Sequence, residues 1–345
     1  MLAAVLHGAK DLKLEPVADR PLAADEVRIA FRAGGICGSD LAYFFKGRVG
    51  DFALKEPLVL GHEVAGELVE LGAEVDRLRL GDRVAIDPSR PCLTCDYCRC
   101  GRSNLCRHMR FFGSAALVPH VPGAFSEQVV ARADQCHVIP AGMSWRVAAC
   151  AEPLAVCLHA IERAGEILGR SVVIAGAGPI GCLMALAARA KGARHVTVTD
   201  LVAEPLEVAK ACGADEVVNV RDAPDRLEVY KAGKGHFDVG IEASGAVPAL
   251  TSLFDVVRAG GVIVQVGMLP PGEVPVPANK LMAREIDYVG GFRFHAEYGR
   301  AVGLLATGRI DVAPILTHDL PLSRGNEAFE IAADRTRSIK VHVHF

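Results

Sequence analysis

Four side chains in three separate stretches are of the types that hold a catalytic metal. Cys37 lies in Gly35-Ile36-Cys37-Gly38-Ser39-Asp40, His62 and Glu63 follow Gly61, and Glu152 opens Glu152-Pro153-Leu154. Thiolate, imidazole and carboxylate are the donors of a catalytic zinc, which keeps one position open for substrate. Taken singly, each is more often a core or surface residue. Their order, beside the motifs below, points to one site. The pair Gly34-Gly35 would let backbone come close to a ligand. Ser39 is a candidate for passing a proton onward, with a turn-capping serine as the plainer reading. Spacing alone leaves open whether Glu63 ligates directly and whether Glu152 ligates or acts through water.

A second set is more specific. Cys92, Cys95, Cys98 and Cys106 can wrap one tetrahedral metal, with Cys100 spare. Four thiolates close the coordination sphere, so this zinc would staple a lobe and do no chemistry. Arg90, Arg99, Arg102 and Arg107 offset the thiolate charge. A disulfide-forming cluster would not need two successive gaps of two residues. An odd total of 11 cysteines also favours metal and free thiols over a disulfide framework.

These groups need elements to position them. Residues 1 to about 150 read as short strands and turns. Glu26–Arg32, Glu63–Glu70 and Asp82–Ile86 alternate polar and apolar, and Gly72, Gly81, Pro88 and Pro91 punctuate them. The pattern suggests a small, partly open all-β barrel. From about 155 the pattern becomes strands alternating with helices. The strand Ser171–Ala175 runs into Gly176-Ala177-Gly178-Pro179-Ile180-Gly181 and an Ala/Leu-rich helix to about Lys191, and the next strand ends in Asp200. This is the dinucleotide fingerprint in its required strand–turn–helix context. Asp200 would bind the adenosine ribose hydroxyls. With no arginine in Leu201-Val202-Ala203-Glu204, it favours NAD over NADP.

Six strands make a doubly wound parallel sheet with the cofactor beyond their carboxyl ends, along Ser244, Val266, Gly267, Met268, Phe292 and Arg293. The expected domains are 1–153 with both zinc sites, 154–290 for NAD, and 291–345 returning to the first.

Composition bounds the rest. The 345 residues are 51% hydrophobic and 23% charged, with net charge -3, which suits two globular domains. No basic stripe suggests nucleic acid or an anionic membrane as partner. Residues 171–188 carry no charge, but Gly176, Gly178, Pro179 and Gly181 argue against a membrane span. The N-terminus lacks a basic start followed by an apolar segment of signal length, so a cytoplasmic protein is expected.

The motifs together resemble the zinc-dependent medium-chain dehydrogenases over essentially the whole chain. Glu152 stands where classical alcohol dehydrogenases place a second cysteine ligand, which resembles the polyol branch of sorbitol and threonine dehydrogenases. Residues Ile86–Cys92, Arg110–Ala115, Pro119-His120-Val121 and Gly291–Phe294 are similar to its sugar-acid members.

The resemblance implies a GroES-like barrel beside a Rossmann domain, and two zinc ions per chain. It also implies an NAD-linked oxidation of a sugar acid at C5, L-idonate giving 5-keto-D-gluconate. Asp40 would orient His62, and the chain would form a homodimer or homotetramer. Polyol or L-threonine oxidation is the alternative, and a non-catalytic redox sensor a remote one. A substrate carboxylate would need a cation, for which Lys46, Arg48, Arg110 and Arg293 are candidates, with Tyr43 and Phe111 beside the pocket. One departure stands out: Ala42 occupies a position where relatives usually carry a histidine tied to proton release or substrate contact.

Overall fold

Alternating side chains drive the first half into a sheet that buries one face. A computed structural model describes all residues 1–345. Strand β1 (Glu26–Gly35) pairs antiparallel with β2 (Glu63–Leu71), which pairs with β3 (Arg83–Ile86). β4 (Gln128–Arg132) lies on the other side of β1, and β5 (Cys136–Val138) beside β3. Their inward side chains, among them Val27, Ile29, Phe31, Val64 and Val84, are buried in one core. Helix α1 (Gly38–Lys46) follows β1 directly and ends at Gly47, whose φ of 65° is the usual left-handed helix stop.

Helix α2 (Ala151–Arg163) carries the chain into the second half. Its Glu-Pro-Leu start is compatible with a helix because first-turn amides have no intrahelical partner to lose. Burial continues along it through Leu154, Ala155, Cys157, Leu158 and Ile161.

The second sheet has six parallel strands. They are β6 (Ser171–Ala175), β7 (His195–Asp200), β8 (Glu216–Asn219), β9 (Phe237–Glu242), β10 (Val257–Gln265) and β11 (Asp287–Gly290). β6 sits between β7 and β9, and the order β8-β7-β6-β9-β10-β11 reverses direction there. In doubly wound sheets that switch point opens the ligand crevice. Helix α3 (Pro179–Ala190) follows β6, and Gly192 ends its turn with φ 85°. No helix is long and apolar enough to cross a membrane.

After α4 (Glu297–Ala306) the chain returns to the first sheet. β12 (Leu316–Pro321) pairs with β13 (Lys340–His344), and β13 pairs antiparallel with β1 at Gly34 and Gly35. Phe329 packs on Phe44 of α1 with ring centroids 4.8 Å apart. The final strand thereby delivers its side chains behind the end of β1, where Cys37 begins α1.

Candidate metal centre and cofactor cleft

Cys37, His62 and Glu63 come from the ends of two paired strands. β1 places Gly35 opposite Glu63, so the turn into α1 and the start of β2 lie side by side. One ligand atom from each of the three lies within 4.8 Å of the others. A Cβ at Gly35 would sit 2.1 Å from Glu63 Oε2, so this approach requires glycine. Asp40 is fully buried and organises the turn: its carboxylate accepts from Cys37 N at 3.0 Å and Gly61 N at 3.3 Å. Its Oδ1 lies 3.6 Å from His62 Nδ1, behind the ring. A carboxylate there fixes which imidazole nitrogen faces a metal.

Burial, and then the charge of Glu63, push the Cys37 thiol up to about 12. A divalent cation supplies the opposite charge that a thiolate needs. Glu152 enters from the first turn of α2 and is 4% exposed. Burial raises its carboxyl well above the usual value, and the nearby charge of His62 partly opposes this. It stands outside the tight three-residue group but near enough to feel the charges of His62, Glu63 and Cys37. The donor set therefore fits a zinc ion: a half-buried thiol, a buried imidazole and a buried carboxylate, with a second buried carboxyl near them.

Lys340, invisible to motif reading, is the counter-charge of this centre. It is 2% exposed, and its Nζ lies 2.7 Å from Glu63 Oε1 and 2.5 Å from Oε2. It also donates to Ile36 O at 3.0 Å. Burial works against its charge, but Glu63 and Cys37 outweigh that and raise it above the usual lysine value. Strand β13 carries it there from a sequence separation of 277 residues.

The cysteine lobe brings Cys92, Cys95, Cys98 and Cys106 together, their sulfurs within 4.8 Å of one another. Backbone amides point at the sulfurs: Cys92 N to Cys106 Sγ at 3.2 Å, Cys95 N to Cys92 Sγ at 3.4 Å and His108 N to Cys106 Sγ at 3.3 Å. Cys100 is exposed and turns toward Tyr97 O instead. Four clustered sulfurs, solvated by amides, fit a structural zinc.

The cofactor turn is equally constrained. Gly176 has φ 107°, and a Cβ on Gly181 would meet Gly176 O at 1.8 Å. The Cβ direction of Gly178, by contrast, is open, which leaves room for a pyrophosphate against the backbone at the start of α3. Pro179 takes the first helical position and Ile180 is half-buried beside it. Ser244 N donates to Glu242 Oε1 at 2.8 Å, and a Cβ on Gly267 would strike Glu242 Oε2 at 2.4 Å, so Glu242 braces both loops. Val266 is half-buried, and Met268 and Phe292 are 59% and 49% exposed along the rim. Large apolar side chains left open there suit a planar ligand. Glycine turn, open backbone and strand-end carboxylate fit a dinucleotide.

Asp200 caps this turn from β7, accepting from Ala177 N at 2.7 Å and Val202 N at 3.0 Å. Its Oδ2 also pairs at 2.5 Å with Arg335 Nη2. The residues after Asp200 hold no arginine, but the fold supplies one from 135 positions away. The absence of arginine from Leu201-Val202-Ala203-Glu204 therefore does not leave Asp200 without a cation.

Around the opening, Tyr43 is 3% exposed and its hydroxyl accepts from Ala115 N at 3.0 Å. Phe111 packs 5.5 Å from the His62 ring. Arg293, in the left-handed region at φ 54°, stacks 4.4 Å over Phe111. Burial lowers its guanidinium, against the pull of Glu152. A cavity of about 460 Å³ opens against Phe111 and Arg293. Arg110 does not join them. It is exposed on the opposite face of its short strand and lines a separate cavity with Arg90 and Phe112. Adjacent strand residues point to opposite faces, so Phe111 and Arg110 cannot both face the site. Lys46 and Arg48 are exposed, and Arg48 lies 3.8 Å from Asp51.

Comparison with known proteins agrees with this architecture. Residues 23–141 match the alcohol dehydrogenase GroES-like domain, and residues 179–307 match the zinc-binding dehydrogenase family. The chain is 43% identical over 312 residues to L-idonate 5-dehydrogenase (NAD(P)(+)) of Escherichia coli K12, covering 90% of each chain. It is 39% identical over 347 residues to sorbitol dehydrogenase of Arabidopsis thaliana, covering 99% of this chain and 94% of that one. The crystal structure of the E. coli L-idonate 5-dehydrogenase superposes with a TM-score of 0.95 at 40% identity, over 100% of this chain and 98% of that chain. A putative zinc-binding dehydrogenase from Sinorhizobium meliloti bound to NADP gives 0.91 at 30%, over 100% and 99%.

Proposed function

Because the chain belongs to the zinc-binding dehydrogenases with an alcohol dehydrogenase GroES-like domain, we propose that it oxidises a secondary hydroxyl of a sugar acid with NAD, L-idonate to 5-keto-D-gluconate. The observation that carries this is the convergence of half-buried Cys37 with buried His62 and Glu63, and buried Glu152 near them. Cys37, His62 and Glu63 hold the zinc. Glu152 lines its open side, as a ligand or through water. When bound, zinc lowers the pKa of a substrate hydroxyl and the nicotinamide ring accepts hydride.

The side chains do the rest. Asp40 holds the His62 ring in register. Lys340 offsets the charge of one carboxylate of the centre. The centre is thus a stronger electrophile than its ligands alone suggest. Ser39, half-buried next to Cys37, takes the outward proton, the histidine of relatives being Ala42 here. Arg293 takes the substrate carboxylate, and Tyr43 and Phe111 wall the pocket. We further propose domain limits at 153/154 and 290/291, a cytoplasmic location and a homodimer or homotetramer built on the cofactor domain.

The testing experiment is NADH formation, by absorbance, from L-idonate, D-gluconate, sorbitol, xylitol and L-threonine. L-Idonate is expected to give the highest kcat/KM; preference for sorbitol or threonine would move the chain to that part of the branch. Replacing Arg293 with alanine is expected to raise KM for L-idonate about tenfold or more and for sorbitol by less than about threefold, since only the acid offers a carboxylate to a guanidinium. Equal effects on both would remove Arg293 from that role.

Arg335 tunes the cofactor. Asp200 binds the ribose hydroxyls and alone would repel a 2′-phosphate; Arg335 offsets that charge. In the Arg335→Ala variant, NADPH affinity by fluorescence titration is expected to fall about tenfold while that for NADH changes less than about threefold. Parallel losses would mean that Arg335 only supports the turn.

A further inference from the structure

A third group of metal-type donors lies outside both centres. His159 is on α2, and His295 and Glu297 lie at the start of α4. One ligand atom from each falls within 4.8 Å of the other two. Glu297 is fully buried and His159 nearly so. Glu297 Oε1 lies 3.0 Å from His159 Nδ1 and 3.7 Å from His295 Nε2. Donors at about 2.1 Å from a tetrahedral ion stand about 3.4 Å apart, so the two observed spacings bracket what one divalent ion requires. The other carboxylate oxygen accepts from His295 N at 2.8 Å, which fixes the group's orientation.

The surroundings leave a position open. His159 and His295 line a cavity of about 250 Å³ that also carries Arg102 and Arg163. A fourth ligand would come from there as water or a small anion, which the arginines favour. The competing cation is Arg300, whose Nη2 is 3.7 Å from Glu297 Oε1. It is half-exposed and already pairs with Glu162, so it has another partner when Glu297 turns to an ion.

We propose that His159, His295 and Glu297 bind a third divalent ion, separate from the catalytic and cysteine-lobe zincs. Two imidazoles and one carboxylate select borderline ions such as Zn²⁺, Co²⁺ or Ni²⁺ over Mg²⁺ or Ca²⁺. The ion would tie α2, whose first turn carries Glu152, to the loop that carries Phe292 and Arg293. It would therefore fix the distance between the two sides of the substrate opening.

The test is a count by difference. Full-length protein and the His295→Ala variant are loaded with Zn²⁺, passed through a desalting column and analysed for metal, then titrated with Zn²⁺ and with Co²⁺ by calorimetry. His295 is partly exposed, so its removal should leave the fold intact, checked by the melting temperature. The expected result is one equivalent fewer in the variant, with the corresponding Kd weakened more than about tenfold. His159→Gln should lose the same equivalent. Equal metal content and superimposable isotherms in wild type and both variants would overturn the proposal and leave the group as a hydrogen-bonded clasp. Because the readout is the difference between variants, it stands or falls apart from the occupancy of the other two centres.

Discussion

Replacing His62 with alanine is expected to lower kcat for NADH formation by about 10³-fold or more. Loss of a metal ligand removes several kcal/mol of charge stabilisation at the hydroxyl, and each 1.36 kcal/mol is about a factor of ten in rate. His62 is 5% exposed and packs on Phe111, so the variant also leaves a cavity. His62→Gln, which keeps most of the volume, separates the two effects. Both variants should lose the rate, and only alanine should lose much stability. Retention of a tenth of the activity in His62→Gln, at full protein folding, would show that the imidazole does not hold the reacting centre.

The second large effect concerns Lys340. Its ammonium and the Glu63 carboxylate are 2% and 1% exposed, and no other side-chain cation pairs with that carboxylate. Lys340→Met keeps the length and removes the charge. Breaking a buried pair by deleting one partner costs about 3–5 kcal/mol, because the other charge stays buried alone. The midpoint of chemical denaturation of chelator-stripped protein should fall accordingly, and the double variant Lys340→Met/Glu63→Gln should recover part of the loss.

The pH dependence follows from the direction of the lysine's shift. Its folded value is raised, so its contribution is complete below the unfolded lysine value of about 10.4 and disappears only as pH rises through the folded one. The loss in Lys340→Met should therefore be flat from about pH 6 to 9. A variant as stable as the wild type would mean that the Lys340–Glu63 pair does not hold the last strand against the centre.

The parts of the site that could be read from the chain are those encoded locally. The cysteine lobe occupies 15 consecutive residues, and the spacing of Cys92, Cys95, Cys98 and Cys106 leaves little choice of geometry. The turn from Gly176 to Gly181 is likewise set by backbone demands within six residues. Strand alternation carried the barrel strands, whereas the strands of the six-stranded sheet, buried on both faces, were legible as short apolar runs between helical segments.

What could not be read is what the fold brings from far away. Lys340 reaches Glu63 only because the last strand adds to β1, and Arg335 reaches Asp200 only through the preceding loop. Neither residue has a local pattern that separates it from an ordinary surface cation. Arg110 failed for a different reason. Its neighbour Phe111 faces the site, and period-two alternation then turns Arg110 to the other side. That rule was available in the sequence, but the strand there is only two residues long and gives no pattern to read.

Turnover is expected to depend on a metal held by Cys37 and not on the cysteine lobe. The direct measurement is to strip the protein with a chelator, add Zn²⁺ back stepwise, and record bound metal and L-idonate-dependent NADH formation together, in wild type and Cys37→Ala. Activity is expected to rise in proportion to the one equivalent that wild type takes up and Cys37→Ala does not. Full activity in protein whose only metal is in the cysteine lobe, or in Cys37→Ala itself, would contradict it.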